Sequence, residues 1–120
     1  MMPYERFHAW KACDELAVAV YRTTATFPRH ELYGLTSQAR RAAFSAAANI
    51  AEGSAKRGAR EFRRYLDISI GSLSELAYVL RLSSRLEYLT AAEWRDLDAL
   101  RAGASRLTWL LYKRVANASQ

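Results

Sequence analysis

A chain of 120 residues, 51% hydrophobic and 25% charged, can bury one core and is too apolar to remain disordered. No run of about 18 apolar residues marks a membrane span, no charged-then-apolar leader marks export, and the single cysteine, Cys13, cannot close an internal disulfide; the expectation is one domain over residues 1–120 in a reduced, cytoplasmic setting. The net charge of +6, with a pI near 9.8, suits a polyanionic partner.

Two prolines and five glycines leave room for long helices. The first helix is expected from about Arg6 to Thr26, because Trp10, Cys13, Ala17, Val20, Thr24 and Phe27 recur at three- and four-residue steps. Pro28 disfavours helix at the residue before it and ends the segment. The link to Gly34 is short, so the next helix should run back beside the first. That second helix should open near Thr36 as N-cap, run through alanine-rich residues 42–51, and break at Gly53. Its small side chains let another backbone approach.

The third helix should start near Gly58 and reach about Tyr88, with Glu61 complementing the N-terminal dipole. Phe62, Leu66, Ser69, Leu73, Leu76, Leu80 and Ser83 keep the near-3.5 period of bundle packing. Thr90 and Glu93 form a capping box ahead of the fourth helix, whose stripe is Trp94, Leu97, Leu100, Ala104, Leu107, Leu111 and Val115. The tail from Asn117 to Gln120 should fray. The fold class that follows is all-α, an antiparallel up-down-up-down four-helix bundle.

A set of motifs adds to this reading: Trp10-Lys11, Tyr21, Phe27-Pro28, Glu31, Tyr33-Gly34-Leu35-Thr36, Gln38, Arg40-Arg41-Ala42, Ser45 and Asn49-Ile50-Ala51-Glu52-Gly53. The pattern resumes at Glu61-Phe62, Tyr65-Leu66, Gly71-Ser72-Leu73 and Glu75-Leu76. Over about residues 6 to 90 the chain resembles the small bacterial four-helix-bundle family that includes proteins encoded in intervening sequences of large-subunit ribosomal RNA. Accessory variability-determinant proteins of retroelements share that architecture and bind nucleic acid through a basic surface. The resemblance implies a four-helix bundle, a homopentameric ring and no enzymatic activity. Ala46-Ala47-Ala48 departs from the family pattern and is expected to loosen local packing; Ala59 stands where a capping serine is common, leaving Gly58 to cap.

Two groups of residues are candidate sites. Between Arg40 and Arg64 lie seven basic residues against Glu52 and Glu61, a local excess of +5. Within it Lys56, Arg57, Arg60, Arg63 and Arg64 are the candidate nucleic-acid contacts, with 57, 60 and 64 on one face if the third helix reaches back that far. The other reading is a solvated helix face. The second group is polar. Gln38, Ser45, Asn49 and Glu52 step along one side of the second helix and are expected to be buried opposite Ser69, Ser72 and Glu75, with Arg41 supplying charge. Together with Glu31 and Tyr33 from the family motifs, they form either a structural network or subunit interface, or a ligand or RNA pocket. Tyr33, in a loop, could stack on a base or pack against a neighbouring subunit, whereas the other aromatics are expected on core stripes.

Catalytic chemistry finds no support. A bundle di-iron site needs two Glu-x-x-His motifs, and only Glu5 to His8 has that spacing; no cofactor or metal is expected. Cys13 sits on an apolar stripe without a histidine at a predictable distance, and no phosphate loop is present. The leading expectation is therefore a non-enzymatic oligomeric bundle binding RNA or DNA through arginines. The alternative is a protein-interaction scaffold without nucleic-acid contact.

Overall fold

The computed structural model describes residues 1–118. Four long helices are present: α1 His8–Thr24, α2 Leu35–Ser54, α3 Ala59–Arg85 and α4 Ala91–Ala118, with single 3-10 turns at Pro3–Arg6 and Arg29–Glu31. Each helix packs on its neighbours in cyclic order, α1 on α2, α2 on α3, α3 on α4 and α4 on α1, with no diagonal pair among the described residues. The result is an antiparallel up-down-up-down four-helix bundle measuring 47 × 23 × 22 Å. Asn117 and Ala118 continue α4 rather than fraying; residues 119–120 lie outside the described residues.

The apolar periodicity places the core. Leu16, Val20, Ile50, Leu66, Leu73, Leu76 and Leu80 are fully buried, with Leu97 and Leu111 nearly so. α2 and α3 make the most extensive pair, because Ala39, Ala43 and Ala46 keep the backbones close. Ser69 donates to the Ala46 carbonyl at 2.8 Å, so the alanine run draws α3 in rather than loosening it. Cys13 is fully buried between α1 and α4. Its thiol lies 3.7 Å from the Thr108 hydroxyl, which itself donates to the Ala104 carbonyl, leaving the thiol as donor. Burial pushes the Cys13 thiol up to about 11, so it stays protonated and acts as a small core residue.

Local chemistry sets the helix ends, and three differ from expectation. The α2 cap is not Thr36, which is buried inside the first turn; Gly34 is the N-cap and the Glu31 carboxylate reaches forward to accept the Leu35 N–H at 3.0 Å. A Cβ on Gly34 would collide with that carboxylate oxygen, which explains the glycine. Gly53 does not stop α2, which runs to Ser54. A Cβ there would lie 2.7 Å from Tyr65 Cβ and 3.0 Å from Phe62 Cδ1, so Gly53 serves close packing of α3. α3 ends at Arg85, three residues before Tyr88. Tyr88 N–H reaches the Ser83 carbonyl at 2.9 Å and Glu87 N–H reaches Ser84 at 3.0 Å around Glu87 at φ 64°, a Schellman closure built on a non-glycine residue. Two expectations hold in detail: Gly58 caps α3 at φ +86°, ψ 156°, a conformation open essentially to glycine, and Thr90 and Glu93 exchange both capping-box bonds at 2.9 and 3.1 Å.

Candidate nucleic-acid interface

The turn from α2 to α3 is organised by aromatic rings that hold cations. Gly53 lets Tyr65 and Phe62 seat against α2. The Tyr65 ring carries two cations, Lys56 Nζ at 5.4 Å and the Arg64 guanidinium at 5.0 Å from its centroid. Phe62 meets Phe7 at 5.7 Å between centroids, and Arg6 lies over Phe7 at 5.0 Å. The rings thus hold the charged ends of Arg6, Lys56 and Arg64 over their faces while these residues stay exposed. Lys56, Arg57, Arg60 and Arg64 are exposed and Arg63 is half-buried. Arg57 precedes the Gly58 cap and so lies outside the α3 face that carries Arg60 and Arg64, because a helix starting at Ala59 does not reach back to it.

Topology then gathers cations that the local window did not contain. An up-down-up-down bundle brings the start of α1, the α2–α3 turn and the end of α4 to one end. Segments 1–9, 52–67 and 109–118 hold Arg6, Lys56, Arg57, Arg60, Arg63, Arg64, Lys113 and Arg114 against Glu5, Glu52, Glu61 and Asp67. That end carries +4 of the net +6; the remaining ten basic residues stand against eight acidic ones. Arg64 approaches Glu61 at 3.7 Å in an exposed pair that neutralises little. Arg60, Arg63 and Arg64 line a shallow groove with Glu61, Asp67 and Tyr112 between α3 and α4. Arg40 and Arg41 lie in the opposite half of α2, so they do not belong to this cluster. Arg40 is already engaged, donating to Thr24 Oγ1 at 3.0 Å and the Tyr21 carbonyl at 3.1 Å.

The polar group is brought together but not buried. Gln38, Arg41, Ser45, Ser72 and Glu75 line a surface groove between α2 and α3. Ser72 donates to Ser45 Oγ at 2.8 Å, and Asn49 Nδ2 donates to the Ser45 carbonyl at 2.8 Å and to its hydroxyl at 3.0 Å. Ser69 is fully buried as expected, but Gln38, Glu52 and Glu75 are exposed against expectation, and Arg41 is exposed with them. The reason is angular. Gln38, Ser45, Asn49 and Glu52 each precede a buried residue (Ala39, Ala46, Ile50, Gly53) by one position, about 100° round the helix. Tyr33 is 94% exposed in its loop, but it is not alone: Phe44, Tyr78 and Trp109 are at least half exposed, so the aromatics are not confined to the core. Glu31 belongs to the other end of the bundle. The Tyr88 hydroxyl donates to its second oxygen at 2.9 Å, and His30 Nε2 lies 3.3 Å from that hydroxyl. The Leu35 N–H and then the Tyr88 hydroxyl hold the Glu31 carboxyl below its ordinary value, while the same bond raises Tyr88. Among the described residues, no group of three His, Cys, Asp or Glu side chains could hold a metal, and no helix is long and apolar enough to cross a membrane.

The family model of the 23S rRNA-intervening sequence protein matches residues 5–109. The chain belongs to that family. Among solved structures, it is similar to a protein of unknown function from the S23 ribosomal protein family of Bacteroides thetaiotaomicron, with 22% identity and a TM-score of 0.78 over 88% of this chain and 98% of that one. At that identity the likeness establishes the bundle fold alone. Comparison with curated proteins gives no match.

Sequence reasoning missed Arg6, Lys113 and Arg114 as members of the basic end, and Tyr65 and Phe62 as the rings that position it. Part of the ring signal was readable, since Tyr65 follows Arg64 directly in the sequence. The distant cations were not, because they join the cluster only through the topology.

Proposed function

We propose that this chain is a non-enzymatic, self-associating bundle that binds RNA through phosphate contacts at its basic end, in the cytoplasm. The observation that carries the reading is the gathering of eight cations against four carboxylates at one end of the bundle, a net +4 of the total +6. Such a surface attracts a polyanion at long range and contacts phosphates without reading sequence. Membership of a family named for an rRNA intervening sequence is consistent with an RNA partner. Self-association is supported by the α2–α3 face, where Phe44, Ile68 and Tyr78 stay exposed around the Ser45–Ser72 polar groove. A homopentamer, implied by the resemblance, would repeat the basic end five times and raise avidity.

The test pairs two measurements. Sedimentation equilibrium at micromolar concentration is expected to report a multiple of 13.6 kDa. Fluorescence anisotropy with labelled RNA is expected to show binding that weakens as salt rises. Arg60→Glu combined with Arg64→Glu should weaken every RNA sequence by roughly tenfold or more and leave helicity intact, since both side chains face solvent. Wild-type protein that ignores RNA at low salt would overturn the reading in favour of a protein-interaction scaffold.

A further inference from the structure

One aromatic pair runs from the core out to the surface: Tyr112 packs against the core, and Trp109 does not. Trp109 and Tyr112 on α4 stack at 5.5 Å between centroids with planes 7° apart. Trp109 is nonetheless 50% exposed. Tyr112 belongs to two features at once: it stacks on Trp109 and it lines the groove of Arg60, Arg63 and Arg64. Arg106 and Lys113, three residues before and four after Trp109, extend the same side of α4 and are exposed. The stacked pair thus offers a half-exposed indole face with a cation on either side of it along the helix. Cations alternating with ring faces are the chemistry of a single-stranded nucleic-acid track, in which arginines follow the backbone while bases stack on the rings. Duplex RNA offers no free base faces to such a pair.

We infer that the Trp109–Tyr112 pair is a base-stacking platform beside the arginine groove, so that the bundle takes single-stranded rather than duplex RNA. This rests on the RNA reading above and adds the strand form and the stacking residues. The Arg groove would hold phosphates, and Trp109 would receive a base on its exposed side.

The experiment measures binding of an oligouridylate and of a blunt RNA duplex to the intact chain, by anisotropy and by tryptophan emission. Wild type is expected to prefer the single strand and to lose emission on binding it. Trp109→Ala should weaken single-strand binding between about fivefold and a hundredfold while leaving duplex binding unchanged. Trp109→Phe keeps a ring at the site, so it should recover much of the affinity but lose the quenching, since Trp10 and Trp94 are packed against the core. Equal loss for single strand and duplex, or quenching that persists in Trp109→Phe, would overturn the platform while leaving phosphate binding standing. A change in sedimentation of Trp109→Phe would overturn it too, by assigning the pair to contact between copies. Absence of RNA binding by wild type is the separate failure of the underlying reading.

Discussion

The two ends of the bundle solve opposite problems with the same residue types. At the end formed by residues 25–34 and 86–90, Glu31, Tyr88 and His30 are satisfied by one another and by the backbone. Glu31 caps α2 and accepts from Tyr88, Tyr88 packs on Phe27 at 5.6 Å, and a Schellman closure delivers Tyr88 to that position. In the same half, Arg40 and Arg101 are bound to oxygen acceptors, Arg101 meeting Asp98 at 2.8 Å. At the basic end the cations rest on Tyr65 and Phe7, and among the described residues only Arg64 approaches a carboxylate there. One end ties Glu31, Tyr88, Arg40 and Arg101 into internal contacts; the other holds Arg6, Lys56 and Arg64 over rings without neutralising them. The difference lies in how the charge is gathered: eight cations against four carboxylates at the basic end, ten against eight over the rest of the chain.

That contrast can be sharpened by changes confined to one end. Gly53→Ala strikes the packing beneath the basic end. The new Cβ would meet Tyr65 Cβ, which cannot swing away, so the clash outweighs the helix propensity gained, and stability should fall by about 1–2 kcal/mol. Because Tyr65 carries Lys56 and Arg64, RNA affinity should fall with it; denaturant melts and anisotropy on the same variant check both. Glu31→Gln acts at the opposite end. The Glu31 carboxyl titrates below its ordinary 4.5 in the folded chain, so it contributes stability at neutral pH that is lost as pH falls below about 4.5 toward its lowered value. Tyr88 is raised above its ordinary 10.0, so its share is present below pH 10 and is lost as pH rises past it. The variant should melt lower at pH 7, lose the acid-dependent part of its melting curve, and bind RNA like wild type. The smallest effect is expected from Glu87→Gly, which relieves a left-handed residue and should add about 1 kcal/mol without changing RNA affinity.

The sequence disclosed the four helices because the apolar spacing of each is long and regular; the α3 stripe from Leu66 to Ser83 is buried as its period requires. It also disclosed caps whose partners are close in sequence, as at Thr90 and Glu93. It failed where a role depends on contact between elements. Gly53 reads as a helix stop until Tyr65 is seen against it, and the Glu31–Tyr88 bond spans 57 positions. The polar residues of α2 keep helical spacing but sit one position off the buried stripe, an offset that spacing alone does not reveal. The basic cluster was half legible: Lys56 to Arg64 stood out, Arg40 and Arg41 were drawn in by a linear window, and Arg6, Lys113 and Arg114 needed the bundle's end-to-end order.

The central claim is that the location of charge, not its total, makes the RNA surface. Two variants of equal charge test it: Arg57→Gln, Arg60→Gln and Arg64→Gln at the basic end, and Arg81→Gln, Arg85→Gln and Arg95→Gln, all exposed, away from it. The measurement is the dependence of RNA affinity on salt for each beside wild type. The first variant is expected to lose about two units from the logarithmic salt slope, near 0.7 for each phosphate contact to a single strand, while the second keeps the wild-type slope. Equal losses in the two variants would contradict it.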